Sequence, residues 1–229
     1  MYYPYGLEGL VYLLPAFALA LFAQFKVKNT FAKYLKVPTQ NGMTGYETAR
    51  KILDRNGLEN VNIEIIGGNL SDHYDPLKKV VRLSNDVARG NSIASVSVAA
   101  HETGHAIQHS SNYVPLTLRS IIAPVAGFSM KFVWFLVFAG ILLDMYGLIN
   151  VGIILYTFAI LFHIVTLPVE FNASSRALLQ LEESGIVNHI ERDKSKRVLD
   201  AAALTYVAAA AVSLAQLMRL IILRNNRRG

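Results

Sequence analysis

The sequence has no cysteine and few charged residues. Of its 229 residues, 17% are Asp, Glu, Lys or Arg, whereas a soluble domain has about 25%. The absence of cysteine excludes disulfides and thiolate metal ligands, so any bound metal must be held by His, Asp or Glu. The low charge, together with 53% hydrophobic residues gathered in long runs, predicts a membrane protein.

Positive charge exceeds negative charge, and the formal net charge is +6. A basic chain can bind nucleic acid, but here the lysines and arginines flank the apolar segments. That arrangement is typical of contact with anionic lipid headgroups. We therefore expect the chain to contact a lipid bilayer and not nucleic acid.

Four apolar segments have about the length of 20 residues that a membrane-spanning helix needs. They are residues 7–25, 121–143, 148–167 and 201–223. The first is interpreted as a retained anchor, not a cleaved signal, because lysines follow it directly and no basic region precedes it. The second and third are predicted to form a hairpin. The fourth is rich in alanine and contains Gln216 and Arg219, so a buried core helix is the alternative for it.

The basic stretches predict how the chain is oriented in the membrane. The residues that follow position 25 and the stretch 176–197 are basic, and the positive-inside rule places them in the cytoplasm. This predicts a multi-pass plasma-membrane protein whose polar region is cytoplasmic. The arginines at 224, 227 and 228 disagree with this orientation if the fourth segment spans the membrane.

The polar region between the first two apolar segments is predicted to be a small α+β piece. Thr44 and Glu47 have capping-box spacing, which predicts a helix start, and Asn56-Gly57 predicts its end. Alternating apolar residues predict short strands near 61–66, 70–74 and 79–83. A turn is expected at Asp75-Pro76.

A five-residue motif, His101-Glu102-Thr103-Gly104-His105, follows this region. Ser92 is a candidate N-cap for the helix that carries the motif, and Pro115 prevents the helix from continuing. Two surface histidines beside a salt-bridging glutamate would be the ordinary explanation of such a pattern. The helical, alanine-rich context favours a zinc site instead.

Each position of the motif suits one chemical task. Residues one helical turn apart share a face, so His101 and His105 can both bind one Zn²⁺. Glu102 lies near the same face and is predicted to act as the general base, which accepts a proton from a water molecule that the metal activates.

A catalytic zinc ion also needs a third protein ligand. His109 continues the series, but about 12 Å of helix separates it from the first histidine, which is too far to share one metal. An acidic residue beyond the hairpin is the alternative. Glu170 is one candidate, because Pro168 predicts a helix start just before it. Spacing alone leaves Glu182 and Glu183 open. His163 and His189 are not expected to bind the metal: His163 is predicted to pack between helices and His189 to be solvated.

Four stretches of the chain carry a more specific signal. They are Ser71-Asp72-His73-Tyr74-Asp75-Pro76, Val81-Arg82-Leu83-Ser84, Ala99-Ala100-His101-Glu102-Thr103-Gly104-His105-Ala106-Ile107-Gln108 and Pro168-Val169-Glu170-Phe171-Asn172-Ala173-Ser174-Ser175-Arg176-Ala177. With them, nearly the whole chain resembles the YugP-type neutral zinc metallopeptidases of bacterial membranes, which are gluzincins, and more distantly HtpX and the CAAX prenyl proteases. The resemblance implies a mainly α membrane protein with a zincin-like α+β catalytic region, a small β-sheet, about four transmembrane helices and a Zn²⁺ cofactor.

The resemblance also implies roles for individual residues. Glu170 falls on the third zinc ligand, and Ser174 falls where the wider group has an aspartate that supports the first histidine. His73 and Tyr74 precede the predicted turn on a strand that could pair with an extended substrate. They are candidates for substrate or oxyanion contacts, and a structural turn with a satisfied histidine is the alternative.

Together these features predict a membrane-embedded zinc metalloendopeptidase that hydrolyses peptides or membrane proteins at the cytoplasmic face. The predicted parts are an anchor at 1–25, a catalytic region at 26–115, a transmembrane hairpin at 116–167, a third-ligand helix and loop at 168–200, and a hydrophobic helix with a basic tail at 201–229.

Two other functions use the same histidines. A non-catalytic zinc-binding sensor or scaffold is the main alternative, although it has no need of Glu102 beside a ligand. A metal transporter would place ionisable residues inside several spans. Only Lys131, His163 and Arg219 meet that description, so the transporter is disfavoured.

Overall fold

The computed structural model describes residues 11–226 as seven helices and one small sheet. In chain order the elements are α1 Leu14–Leu35, α2 Gly45–Arg55, β1 Asn62–Ile66, β2 His73–Asp75, β3 Val80–Ser84, α3 Asn85–Arg89, α4 Ile93–Ser110, α5 Val114–Leu142, α6 Tyr146–Glu183 and α7 His189–Asn226. The expectation of a mainly helical protein with a small β-sheet is confirmed.

The described residues divide into two compact units. The apolar unit contains residues 11–24, 117–168 and 205–226, and the polar unit contains residues 25–116 and 169–204. Helices α1, α5, α6 and α7 each contribute residues to both units.

Three described helices are long and apolar enough to cross a membrane. They are Val114–Leu142, Tyr146–Glu183 and His189–Asn225. Within the apolar unit, α5, α6 and α7 share a buried cluster that includes Val133, Tyr156 and Leu220. The first predicted span, residues 7–25, lies partly outside the described residues, and its residues 14–25 belong to α1. The number of four spans therefore stays a prediction.

The prediction that Pro168 starts a helix is wrong. Helix α6 is continuous from Tyr146 to Glu183 and contains Pro168 in its interior, so Glu170 does not lie in a first turn. Proline lacks a backbone N–H and cannot make the usual helical hydrogen bond. Burial of the residues that follow, including Val169 at 0% exposure, compensates for that loss by removing apolar surface from water.

The local predictions for the polar unit are largely confirmed. Thr44 caps α2 in a complete capping box with Glu47, and the helix ends at Asn56. The second predicted strand, residues 70–74, is instead β2 at His73–Asp75. The strand begins later because Leu70 has a positive φ of 54°, which is incompatible with an extended strand.

The sheet has the order β1-β3-β2, so β3 is central. Strand β1 pairs with β3 in parallel, and β2 pairs with β3 antiparallel, with Tyr74 opposite Val81. Hydrophobic side chains of β3 and α2 pack against one face of α4 through Ala99 and Ala106.

A second buried cluster covers another face of α4. It joins Val96, Ala100 and Ile107 of α4 to Ala177 and Leu181 of α6, and it also includes Leu199 of α7. Helix α4 is therefore enclosed by apolar residues from two directions, which holds its side chains at defined positions relative to α6.

Candidate metal centre

Helix α4 positions the two histidines of the motif. Its N-terminus is capped by Ser92, whose side chain accepts a hydrogen bond from the backbone N–H of Ser95. His101 and His105 lie one turn apart, and their ring centroids are 4.8 Å apart in an edge-on arrangement. Both side chains are mostly buried, with exposed fractions of 12% and 10%.

Helix α6 brings Glu170 to the same place. Its side chain is 2% exposed, and its Oε2 lies 3.2 Å from His101 Nε2 and 3.6 Å from His105 Nε2. One potential ligand atom from each of the three residues lies within 4.8 Å of the other two. The structure thus brings together all three predicted metal ligands.

The remaining nitrogen of each imidazole has its own partner. Ser174 Oγ lies 3.2 Å from His101 Nδ1, and Gln108 Oε1 lies 3.0 Å from His105 Nδ1. Both Nε2 atoms therefore face the shared space with Glu170. Two imidazole nitrogens and one carboxylate form a ligand set typical of catalytic zinc, so these residues fit the ion.

Ser174, which the resemblance aligns with an aspartate, contacts the first histidine. Its hydroxyl can accept a hydrogen bond from the Nδ1–H of His101. A hydroxyl carries no charge, so it orients the ring without adding the negative charge that a carboxylate would supply.

Glu102 is buried next to the first ligand, with an exposed fraction of 8%. Within residues 11–226, no protein group donates a hydrogen bond to its carboxylate. Burial raises the pKa of Glu102 above its usual value, although the neighbouring imidazoles, if charged, act in the opposite direction. A carboxylate with a raised pKa and no protein partner is suited to accept a proton.

The two candidates on β2 occupy different surroundings. His73 is exposed, and its Nδ1 lies 2.8 Å from the carbonyl oxygen of Ser71. The hydroxyl of Tyr74 lies 2.8 Å from Nδ1 of His109, so Tyr74 faces α4. Burial raises the pKa of Tyr74 to about 12, and the charge of Asp75 adds to the effect. Neither residue belongs to the group of three ligands, and their roles as substrate or oxyanion contacts stay predictions.

The acids that spacing left open lie in ion pairs. Glu182 Oε2 is 2.8 Å from Arg192 Nε, and Glu183 Oε2 is 3.5 Å from Arg55 Nη2. Neither acid joins His101 and His105 in a potential metal-binding group. Glu170 is therefore the acid that the fold delivers to the histidines.

Besides His73, three histidines lie outside this group. His109 contacts Tyr74, and His163 packs edge-on against Phe162 with ring centroids 5.7 Å apart. The side chain of His189 is 84% exposed.

One contact residue, Gln108, was given no role by sequence reasoning. Its position three residues after His105 puts it on the same helical face, and that spacing was the available signal.

Gly104 permits the close approach of the two ligand-bearing helices, and replacing it with alanine is expected to be destabilising. The added Cβ would lie 2.7 Å from the backbone carbonyl oxygen of Ala173. We expect a loss of about 1–3 kcal/mol in stability and weaker zinc binding, measured by thermal denaturation in detergent with and without Zn²⁺. Gly127→Ala is the control, because its added Cβ meets no atom within 4 Å. Equal stability of the two variants would contradict the close approach.

Comparisons with known proteins relate this chain to a family and to a curated relative. Residues 9–225 match the family described as "Putative neutral zinc metallopeptidase". A curated relative, "Putative membrane protease YugP" of Bacillus subtilis (strain 168), is 50% identical over 213 residues, which cover 93% of this chain and 95% of the relative. No solved structure shows a significant match. The chain therefore belongs to the neutral zinc metallopeptidase family that this description names.

Proposed function

We propose that this protein is a membrane-embedded zinc metalloendopeptidase. The observation that carries the proposal is the convergence of His101, His105 and Glu170, whose ligand atoms lie within 4.8 Å of one another. Membership of a zinc metallopeptidase family and three helices long enough to cross a membrane support it.

In this proposal the three converging side chains hold the zinc ion. His101 and His105 bind through Nε2, because each Nδ1 faces a neighbouring side chain. Glu170 supplies a negative charge from a site that is almost closed to solvent. The bound ion supplies Lewis-acid chemistry, which polarises the scissile carbonyl and favours ionisation of water.

Glu102 acts as general base and then as general acid. Its carboxylate accepts a proton from the attacking water and passes that proton to the nitrogen of the leaving amine. Its lack of a hydrogen-bond donor among the described residues leaves both oxygens available for this transfer. Burial also raises its pKa, which strengthens it as a base.

The substrate is proposed to bind as an extended strand. Strand β2 lies at an edge of the sheet, and an edge strand offers backbone groups for pairing with an extended chain. Tyr74 on this strand faces α4, which makes it the better placed of the two candidates for contact with bound substrate. The basic flanks of the apolar segments support a reaction at the cytoplasmic face. The proposed substrates are peptides or membrane proteins.

The proposed peptidase function can be tested by removing the zinc ion and then adding it back. The full-length protein, purified in detergent, is expected to contain one Zn²⁺ per chain and to cleave casein or a reconstituted membrane-protein substrate. Dialysis against a chelator should abolish cleavage because the Lewis acid is lost, and added Zn²⁺ should restore it. Both zinc content and product formation are measured. A protein that binds one zinc but cleaves no substrate would instead be a sensor or scaffold, and a protein that binds no zinc would overturn both functions.

A further inference from the structure

Gln108 is a polar side chain in the interior of the polar unit. It lies on α4, three residues after His105, and its exposed fraction is 0%. Its amide makes three contacts: Oε1 lies 3.0 Å from His105 Nδ1, and Nε2 lies 2.7 Å from the carbonyl oxygen of Val169 and 3.0 Å from Asn172 Oδ1.

These contacts determine which way the amide points. The carbonyl oxygen of Val169 can only accept a hydrogen bond, so the atom that faces it must be the NH₂ group of Gln108. Asn172 Oδ1 is itself oriented, because it accepts a second hydrogen bond from Arg176 Nε at 2.8 Å. The Gln108 carbonyl oxygen is therefore the atom that faces His105.

The orientation of Gln108 in turn fixes the proton on His105. A carbonyl oxygen cannot donate a hydrogen bond, so His105 Nδ1 must carry the hydrogen. In the neutral ring, Nε2 then has the free lone pair, and it is this nitrogen that lies 3.6 Å from Glu170 Oε2. An imidazole in this tautomer can bind a metal ion through Nε2.

The same amide joins the two helices that supply the ligands. Its NH₂ group donates hydrogen bonds to the carbonyl oxygen of Val169 and to Oδ1 of Asn172. Val169 directly precedes Glu170, and Asn172 follows Glu170 by two residues. One side chain of α4 thus holds the turn of α6 that carries the third ligand.

We propose that Gln108 is a positioning residue for the metal centre. It holds His105 in the tautomer that binds through Nε2, and it fixes the turn of α6 that presents Glu170. The inference rests on the proposed zinc site. It assigns to this side chain a contribution to zinc affinity that is separate from its contribution to the stability of the fold.

Two substitutions separate the contribution of Gln108 to zinc affinity from its contribution to the stability of the fold. Gln108→Met keeps the length of the side chain but removes both the acceptor for His105 and the donors to α6. Gln108→Glu keeps an acceptor for His105 but places an oxygen where the NH₂ group faced Val169. The Gln108→Glu variant should therefore be no more stable than Gln108→Met. It should nevertheless bind zinc more tightly than Gln108→Met does.

Zinc affinity is measured with purified full-length protein by competition with a chromophoric chelator, with Zn²⁺ as the only added ligand. We expect Gln108→Met to weaken zinc binding by about 10–100-fold and Gln108→Glu to stay within about tenfold of the wild type. Nitrogen NMR of labelled histidine in the metal-free protein should show protonation at Nδ1 of His105 in the wild type and mixed tautomers in Gln108→Met.

Gln180→Met is the matched control. Gln180 lies on α6, and its side chain accepts a hydrogen bond from Asn56 Nδ2 of the polar unit at 2.9 Å and not from one of the three proposed ligands. Its replacement should leave zinc affinity unchanged. If Gln108→Met binds zinc as tightly as the wild type, the role of Gln108 is rejected but the proposed function is not. The same holds if zinc affinity simply follows thermal stability across the three variants. Absence of zinc binding by the wild type would instead reject the proposed function.

Discussion

Replacing Glu102 with glutamine is expected to lower the rate of peptide hydrolysis by about 10²–10⁴-fold while leaving zinc bound. The amide has the same shape as the carboxylate but cannot accept a proton from water. Because Glu102 has no hydrogen-bond donor among the described residues and is not one of the three converging ligands, its replacement should disturb neither the fold nor the metal.

The measurements are the rate of cleavage of casein or of a reconstituted membrane-protein substrate, zinc content, and thermal stability. Glu64→Gln is a suitable control, because Glu64 is exposed on β1 and pairs with Arg82. It should retain full activity. If Glu102→Gln cleaves as fast as the wild type at equal zinc content, Glu102 is not the base.

Replacing Glu170 with glutamine is expected to weaken zinc binding by more than about 100-fold, the upper end of the effect of residues that only support ligands. A neutral amide is a poorer ligand than a carboxylate, and the site loses its negative charge. Hydrolysis should disappear at ordinary zinc concentrations for the same reason. Chelator competition measures the affinity, and cleavage assays over a range of Zn²⁺ concentrations measure the activity.

Glu183→Gln on the same helix is the control for this second experiment. Its carboxylate lies beside Arg55 and not beside the histidines, so zinc affinity and activity should match the wild type. Retention of tight zinc binding by Glu170→Gln would show that the third ligand lies elsewhere. Loss of zinc from Glu183→Gln would identify Glu183, and not Glu170, as the third ligand.

Local features of the polar unit could be predicted from the sequence because their causes are local. The capping box at Thr44 and Glu47 involves residues three positions apart, and the i, i+4 spacing places His101 and His105 on one face of any helix. Nearby residues are sufficient to specify such features, and the structure contains them.

Features that depend on distant packing could not be predicted in the same way. Spacing did not distinguish Glu170 from Glu182 or Glu183, because the choice depends on how α6 packs against α4. The continuation of α6 through Pro168 has the same origin: burial of the following turn outweighs a local signal for a helix start. Gln108 escaped notice because its partners, Val169 and Asn172, lie more than 60 residues away along the chain.

The positions of the three proposed ligands along the chain also determine the order in which they are synthesised during translation. His101 and His105 are synthesised first, and Glu170 follows only after α5 and nearly two-thirds of α6 have been made. At ordinary elongation rates of about 5–20 residues per second, the 65 residues from Ala106 to Glu170 take roughly 3–13 s to synthesise. A nascent chain thus lacks the complete set of proposed zinc ligands until its hydrophobic hairpin has been synthesised.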